Sequence, residues 1–406
     1  MTLAAERRAQ ARYDPLLTEK LIASIGPQHP SLTAPVQLRV QTDGELIEHV
    51  EVECGFMHRG IEQLATRRTW AQVAPLLSRC EWLAGANGDY LIAAAVEALA
   101  GIEVPQRAQY LRSAVLELSR ISSHLFWFGD LGLELGAITP IFWALREREG
   151  ALDMLEMLSG SRWHGQYIVP GGVRHEPPAA FLPALKRFCE MLPQRIDEYE
   201  EFFSDNAIWV NRSEFVGVLE PDYALKMGAS GPVLRASGVR HDLRRDAPYA
   251  AYGELKFDVP TGEYGDTLDR YRVRFVEMRE SIKILEQCAL WLELGGRPSL
   301  AALNQPSVED VERTETTSTV SEERPETAAL PITVPKGEVY VAVEGPRGEL
   351  GLHVTSDGGG RPARVHLRSP SLYHLHLLDE LCRGHLLADV FAIYASLDIM
   401  IGEVDR

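Results

Sequence analysis

"RAQYLRSAVLELSRISSHLFWFGDLGLELGA", residues 107–137, decides the fold. Leu111, Val115, Leu118, Ser122 and Leu125 recur at steps of three and four, the spacing of an α-helix with a packed face. The next stretch, "PIFWALREREGALDMLEMLSG" (140–160), predicts a second helix, with Gly160 placed as its C-cap. A third is expected over about 178–203. The longest is "DTLDRYRVRFVEMRESIKILEQCALWLE" (266–293), where Leu268, Tyr271, Phe275, Met278, Ile282, Leu285, Ala289 and Leu292 form a narrow apolar seam. A seam of that width suits packing in a bundle.

Outward from this bundle the period changes to two. "VQLRVQTDGELIEHVEVECGF" (36–56) alternates apolar and polar residues around Asp43-Gly44, a hairpin signal. "GEVYVAVEGPRGELGLHVTSDGGGRPARVHLRSP" (337–370) alternates again, with a Gly-rich turn, and predicts a β-hairpin or small sheet; a helical stretch is expected at about 371–395. Residues 210–265, rich in Gly and Pro, predict short strands and loops. The class is therefore α+β. It divides into an N-terminal β-rich domain (1–60), a helical bundle with loop insertions (61–302), an acidic linker (303–331) and a C-terminal β-hairpin and helix region (332–406). The linker expectation rests on a Thr-, Ser- and Glu-rich run with almost no large apolar residues, which buries too little to order itself.

Composition excludes several roles. The 406 residues are 45% hydrophobic and carry a net charge of −17, without a basic stripe, so nucleic-acid binding is not expected. No apolar run is long enough for a bilayer span, so membrane association is expected only through partner subunits. The start is charged and lacks the apolar core of a signal peptide. Five scattered cysteines (Cys54, Cys80, Cys189, Cys288, Cys382) form no CxxC pair and suit a reducing compartment. "SDGGG" (356–360) lacks the Lys and context of a phosphate loop, and no dinucleotide fingerprint is present.

Ten strings occur in one order: "GPQHPS", "GFMHRGIE", "GAITPIFWALRERE", "SRWHGQYIVPGGV", "LRASGV", "FDVPTGEYGD", "PKGEVYV", "GELG", "SDGG" and "ASLDIMIGEVDR". Together they resemble the D-subunit family of bacterial NADH–quinone oxidoreductase, the respiratory complex I core component related to the large subunit of nickel–iron hydrogenases. The resemblance spans about 20–300 and 332–406. It implies a peripheral-arm subunit on the cytoplasmic face of the membrane, beside the B, C, H and I subunits of complex I. It also implies a quinone chamber shared with the B subunit, which carries the terminal iron–sulfur cluster, with FMN and NADH held by other subunits. This chain is expected to bind no cofactor and no metal. A nickel–iron site needs two thiolate pairs; the matching N-terminal positions are Glu81 and Ala84, and "SLDIMIGEVDR" has no Cys.

The resemblance also assigns site residues. His29, in a Pro- and Gly-stiffened turn, fits the first half of the family's chamber motif. Where that motif has a second His, which bonds a quinone carbonyl, this chain has Thr33. Where the family has a Tyr, it has Trp82, whose N–H donates a bond but delivers no proton. The family's chamber Asp falls at Glu134. His58 is expected at the chamber, and Arg79 and His164 on the wall facing the cluster. With the usual His and Tyr gone, Glu134 and His29 become the candidate proton donors. The alternative is a non-catalytic scaffold or a paralogue with a modified acceptor.

Overall fold

The computed structural model describes residues 20–295 and 333–406; the expected linker at 303–331 lies outside the described residues. An antiparallel sheet of β1 (Lys20–Ile25), β2 (Gln37–Asp43) and β3 (Leu46–Glu53) opens the fold. Gly44, at φ 60°, turns the β2–β3 hairpin, and Val40 faces Val50 across it. Alternation puts Leu38 and Val40 on the buried face, and a bulge opposite Gln41 and Thr42 brings both Ile47 and Val50 to it, where they meet Leu378, Leu381, Ile393 and Ile401 from the C-terminal helices.

The bundle follows: α1 (Ile61–Ala65), α2 (Trp70–Leu77), α3 (Ala86–Ala100), α4 (Gln106–Glu134), α5 (Thr139–Ser159), α6 (Phe181–Tyr199) and, after a stretch of short helices, α7 (Thr267–Glu293). Helix α4 is the axis, packed by α5 and α7. It is buried on nearly every face, not on one stripe, and its inward polar residues Arg112, Glu117, Arg120 and His124 all find partners. Gly160 closes α5 in the left-handed conformation at φ 74°. Asp266 caps α7 by accepting the Asp269 N–H at 2.8 Å. A two-residue hairpin, β4 (Ile168–Val169) and β5 (Gly172–Val173), lies between α5 and α6.

Two expectations need correction. Residues 207–246 form short helices, among them Pro221–Lys226 and Gly231–Ala236, where strands were expected. Pro221 and Pro232 sit in their first turns, where the missing N–H costs nothing. The C-terminal alternation forms the small antiparallel sheet expected, β6 (Gly337–Gly345), β7 (Gly348–Ser356) and β8 (Pro362–Arg368), but the single helical stretch expected after it is four short helices. These are α8 (Pro370–Leu375), α9 (Leu378–Cys382), α10 (Asp389–Leu397) and α11 (Ile401–Asp405), so helix continues well past 395. Gly384 (φ 77°) and Asp398 (φ 56°) divide the run, because a left-handed residue cannot continue a helix.

Candidate functional site

The loop 26–35 leaves β1 through a cis Gly26–Pro27 bond. Gly26 sits at φ 94°, and a Cβ there would lie 2.1 Å from the Val36 carbonyl oxygen, so only glycine fits. The Leu32 N–H bonds the His29 carbonyl (3.0 Å), and the Ser31 N–H donates to His29 Nδ1 (3.2 Å). The His29 ring stacks on Phe391 of α10, with centroids 5.2 Å apart. An open groove of about 430 Å³ runs along residues 27–35 and includes His29, Thr33 and Ala34.

Thr33 and Ala34 also line a second, small cavity of about 10 Å³. Its other walls include Trp82, Phe126, Asp130, Arg347, Tyr394 and Asp398. Thr33 and Trp82, far apart in sequence, thus share one space. Trp82 is half-buried between Phe126 (5.8 Å, edge-on) and Trp163 (5.6 Å), and its carbonyl accepts the Trp163 indole N–H. In the cavity wall, the buried Arg347 guanidinium bridges Glu81 (2.7 Å) and Asp398 (2.9 Å), while its Nε donates to the Asp398 carbonyl (2.9 Å). This ion triad occupies the region where the family resemblance places the missing thiolates.

Burial shapes the acids here. It pushes Asp130 up to about 8, helped by the charges of Glu134 and Asp398 and opposed by Arg347. Glu134 rises to about 7 for the same reason, while the Ser31 hydroxyl and Arg212 pull it down. Burial also raises Glu81 to about 8, against Arg347. Glu134 is therefore tied to the loop through Ser31, one helical turn beyond Asp130, and does not line the small cavity.

Arg79 and His164 lie on a different wall. Burial and the nearby Arg79 charge hold the His164 imidazole down at about 4, so it is neutral at pH 7. His164 takes a left-handed backbone (φ 56°), and its buried Nδ1 has no hydrogen-bond partner. It lines a cavity of about 40 Å³ with Asp89, whose Oδ1 is likewise buried and unpartnered. Arg79 is exposed and donates to the Pro75 carbonyl (2.8 Å). His58 joins neither the groove nor either cavity. Its Nδ1 lies 2.6 Å from the Asp405 carbonyl, on a turn clamped by Asp405 through the Gly55 and Met57 N–H groups (2.7 Å each).

Asp130, Arg347, Asp398 and Asp89 escaped the sequence reading. One signal was available for Asp130: it stands four residues before Glu134, on the same face of α4. Arg347 and Asp398 lie in or beside strings that carried the resemblance, "GELG" and "ASLDIMIGEVDR", but nothing local marks them as paired.

Among the described residues, no group of three or more His, Cys, Asp or Glu is arranged to hold a metal ion, and no helix is long and apolar enough to cross a membrane. Residues 134–406 match the family model for the respiratory-chain NADH dehydrogenase 49 Kd subunit. The chain is 42% identical to the D 2 subunit of the NADH-quinone oxidoreductase of Rhizobium meliloti (strain 1021), over 96% of each chain. It is 41% identical to the D subunit of the same enzyme from Citrifermentans bemidjiense, over 96% of this chain and 100% of that one. A solved chain from the membrane-bound sulfane sulfur reductase, an archaeal respiratory membrane complex, superposes with a TM-score of 0.84 at 34% identity, covering 96% of this chain and 99% of that one. An unbroken match over nearly the whole length, on a fold with a central helical bundle between two small sheets, places this chain in the 49 Kd (D-subunit) family of the NADH–quinone oxidoreductases, as a component of a respiratory oxidoreductase complex.

Proposed function

We propose that this chain works within a proton-translocating NADH–quinone oxidoreductase. With the partner B subunit, which carries the terminal iron–sulfur cluster, it forms the chamber where quinone takes up electrons. NADH and flavin belong to other subunits. The chain meets the cytoplasmic face of the membrane only through partners such as the H and I subunits, with the C subunit beside it. The observation that carries this reading is the meeting of Thr33 and Trp82 in one cavity that shares Thr33 and Ala34 with the groove of residues 27–35. The groove takes the acceptor, Thr33 offers a hydroxyl to its head, and Trp82 offers an aromatic wall. Arg79 and His164 form the side from which electrons arrive; an N–H donor or cation there stabilises a reduced cluster. Partner docking is supported by Ile138, Phe142, Phe202 and Ile208, each more than 60% exposed.

A second reading is favoured by the solved relative with a sulfane sulfur acceptor, together with the replacement of the usual His and Tyr: the groove serves a different acceptor. The deciding experiment measures quinone reduction by the purified complex, with and without a quinone-site inhibitor. Inhibitor-sensitive turnover is expected. Restoring Thr33→His together with Trp82→Tyr should raise it roughly tenfold or shift its pH profile. A complex that reduces a sulfane sulfur compound and no quinone would establish the second reading. One that reduces neither would leave a scaffold.

A further inference from the structure

The small cavity between the groove and the Arg347 triad is too small for an acceptor. At about 10 Å³ it has room for about one water. Two of the polar atoms around it are stranded: Tyr394 Oη and Asp398 Oδ2 are buried with no hydrogen-bond partner. A stranded buried polar atom costs roughly 1–3 kcal/mol, so two on residues that line one water-sized space call for a water between them. Asp130 lines the same space, together with Thr33 and Trp82.

We infer that Asp130 is the acid that protonates the acceptor held at Thr33, through a single water shared with Tyr394 and Asp398. This rests on reading the groove as the acceptor site, and it replaces Glu134 and His29 as the immediate donor. His29 lines the groove but not the cavity, and its ring is stacked on Phe391. Thr33 and Trp82 have no acidic proton to give. The groups acting on Asp130 are Glu134 on its own helix, Asp398 beyond α10, and Arg347 at the β6–β7 turn; the buried Tyr394 is the other titratable group lining the cavity. Burial and the two carboxylates favour the protonated acid. Arg347 opposes them, but it already pairs with Glu81 and Asp398.

The chemistry balances. A quinone takes two electrons, one at a time, from the partner's iron–sulfur cluster, and two protons. The Asp130 O–H bond breaks as its proton passes to the water, the water gives one of its own protons to the quinone oxygen, where an O–H bond forms, and Asp130 becomes a carboxylate. Glu134, one turn nearer the loop, returns a proton to it from solvent, and the second proton follows the same route.

The test compares Asp130→Asn, Asp130→Glu and Glu134→Gln in the intact complex. Asp130→Asn should lower quinone kcat roughly 100-fold, with KM changed by no more than about twofold. Asp130→Glu should recover part of the rate. The fall in rate above about pH 8 in the parent should vanish in Asp130→Asn. In infrared difference spectra, a protonated-carboxyl band titrating in that range should be lost in Asp130→Asn and kept in Glu134→Gln. If Asp130→Asn turns over within about twofold of an active parent, or keeps the band, Asp130 is not the donor while the chamber reading stands. If the parent reduces no quinone, the chamber reading fails and takes the donor role with it.

Discussion

Gly85 leads into α3 at a point where a side chain has nowhere to go. A Cβ there would stand 2.8 Å from the Ser78 carbonyl oxygen and 2.9 Å from His164 Nδ1. The missing side chain is what lets the imidazole tuck in beside Asp89. Gly85→Ala should therefore cost about 1–3 kcal/mol, as overpacking does, because one colliding atom is backbone and cannot swing away. It should also push His164 outward, so that its imidazole titrates closer to the ordinary histidine range. Denaturant midpoints and an NMR titration of His164 check the two halves. An alanine variant of unchanged stability and unchanged His164 titration would show that the contact yields freely.

At the scale of elements, α4 and α7 are joined by charges rather than by apolar contact alone. Glu277 on α7 takes Arg235 Nε at 2.8 Å and His124 Nε2 at 3.0 Å, all three side chains fully buried. Glu117 on α4 gathers Arg120 (3.2 Å) and Arg244 (3.1 Å), with the Tyr252 and Ser281 hydroxyls at 2.6 Å. Removing the Glu277 carboxylate leaves Arg235 dry with one counter-charge fewer and His124 Nε2 without its partner, so Glu277→Ala should lose about 3–5 kcal/mol. On the same helix Arg279 pairs with Asp197 and Glu200 at the surface, and Arg279→Ala should lose about 0–1 kcal/mol. Chemical denaturation of the two variants side by side checks the contrast. Equal losses would mean that the buried network contributes no more than a surface pair.

For the whole molecule, these two kinds of acid set the pH dependence of stability in opposite directions. The arginines beside Asp242 overcome its burial and hold it down at about 2, and Glu117 and Glu277 are lowered by their partners in the same way. Their contribution is present above the ordinary carboxylate range, roughly pH 4, and is lost as pH falls through the lower folded values. Asp130, Glu134 and Glu81 are raised to about 8, 7 and 8. The folded chain keeps their protons after the unfolded chain has released them, so stability falls as pH climbs from roughly 4 through those values. The net charge of −17 adds repulsion in the same direction. Melting temperature should therefore peak on the acid side of neutrality, and Asp130→Asn should flatten the decline between pH 6 and 8 by roughly one group's share. A peak above pH 8 would contradict the buried-acid picture.

The sequence by itself determined the elements whose signal is local. The three- and four-residue steps of 107–137 and 266–293, the Asp43-Gly44 hairpin and the Gly160 cap follow from backbone geometry within a few residues, and the helices, turn and cap formed there. The ordered strings likewise sufficed for the family. The tertiary structure alone decided which faces are buried and which charges meet. Helix α4 showed a periodic stripe but is enclosed all round, and the 207–246 segment became helical around buried Arg235 and Arg244, whose partners Glu117, Glu277 and Glu344 lie far away in the chain. The site divides in the same way. His29 and Thr33 were named from the resemblance of the stiff 26–35 turn to a family motif, whereas Asp130 gained its raised affinity for a proton from burial in the folded chain, with the charges of Glu134 and Asp398 adding to it against Arg347. Desolvation and ion pairing depend on what the rest of the chain brings within a few ångströms, and no window of neighbouring residues contains that information.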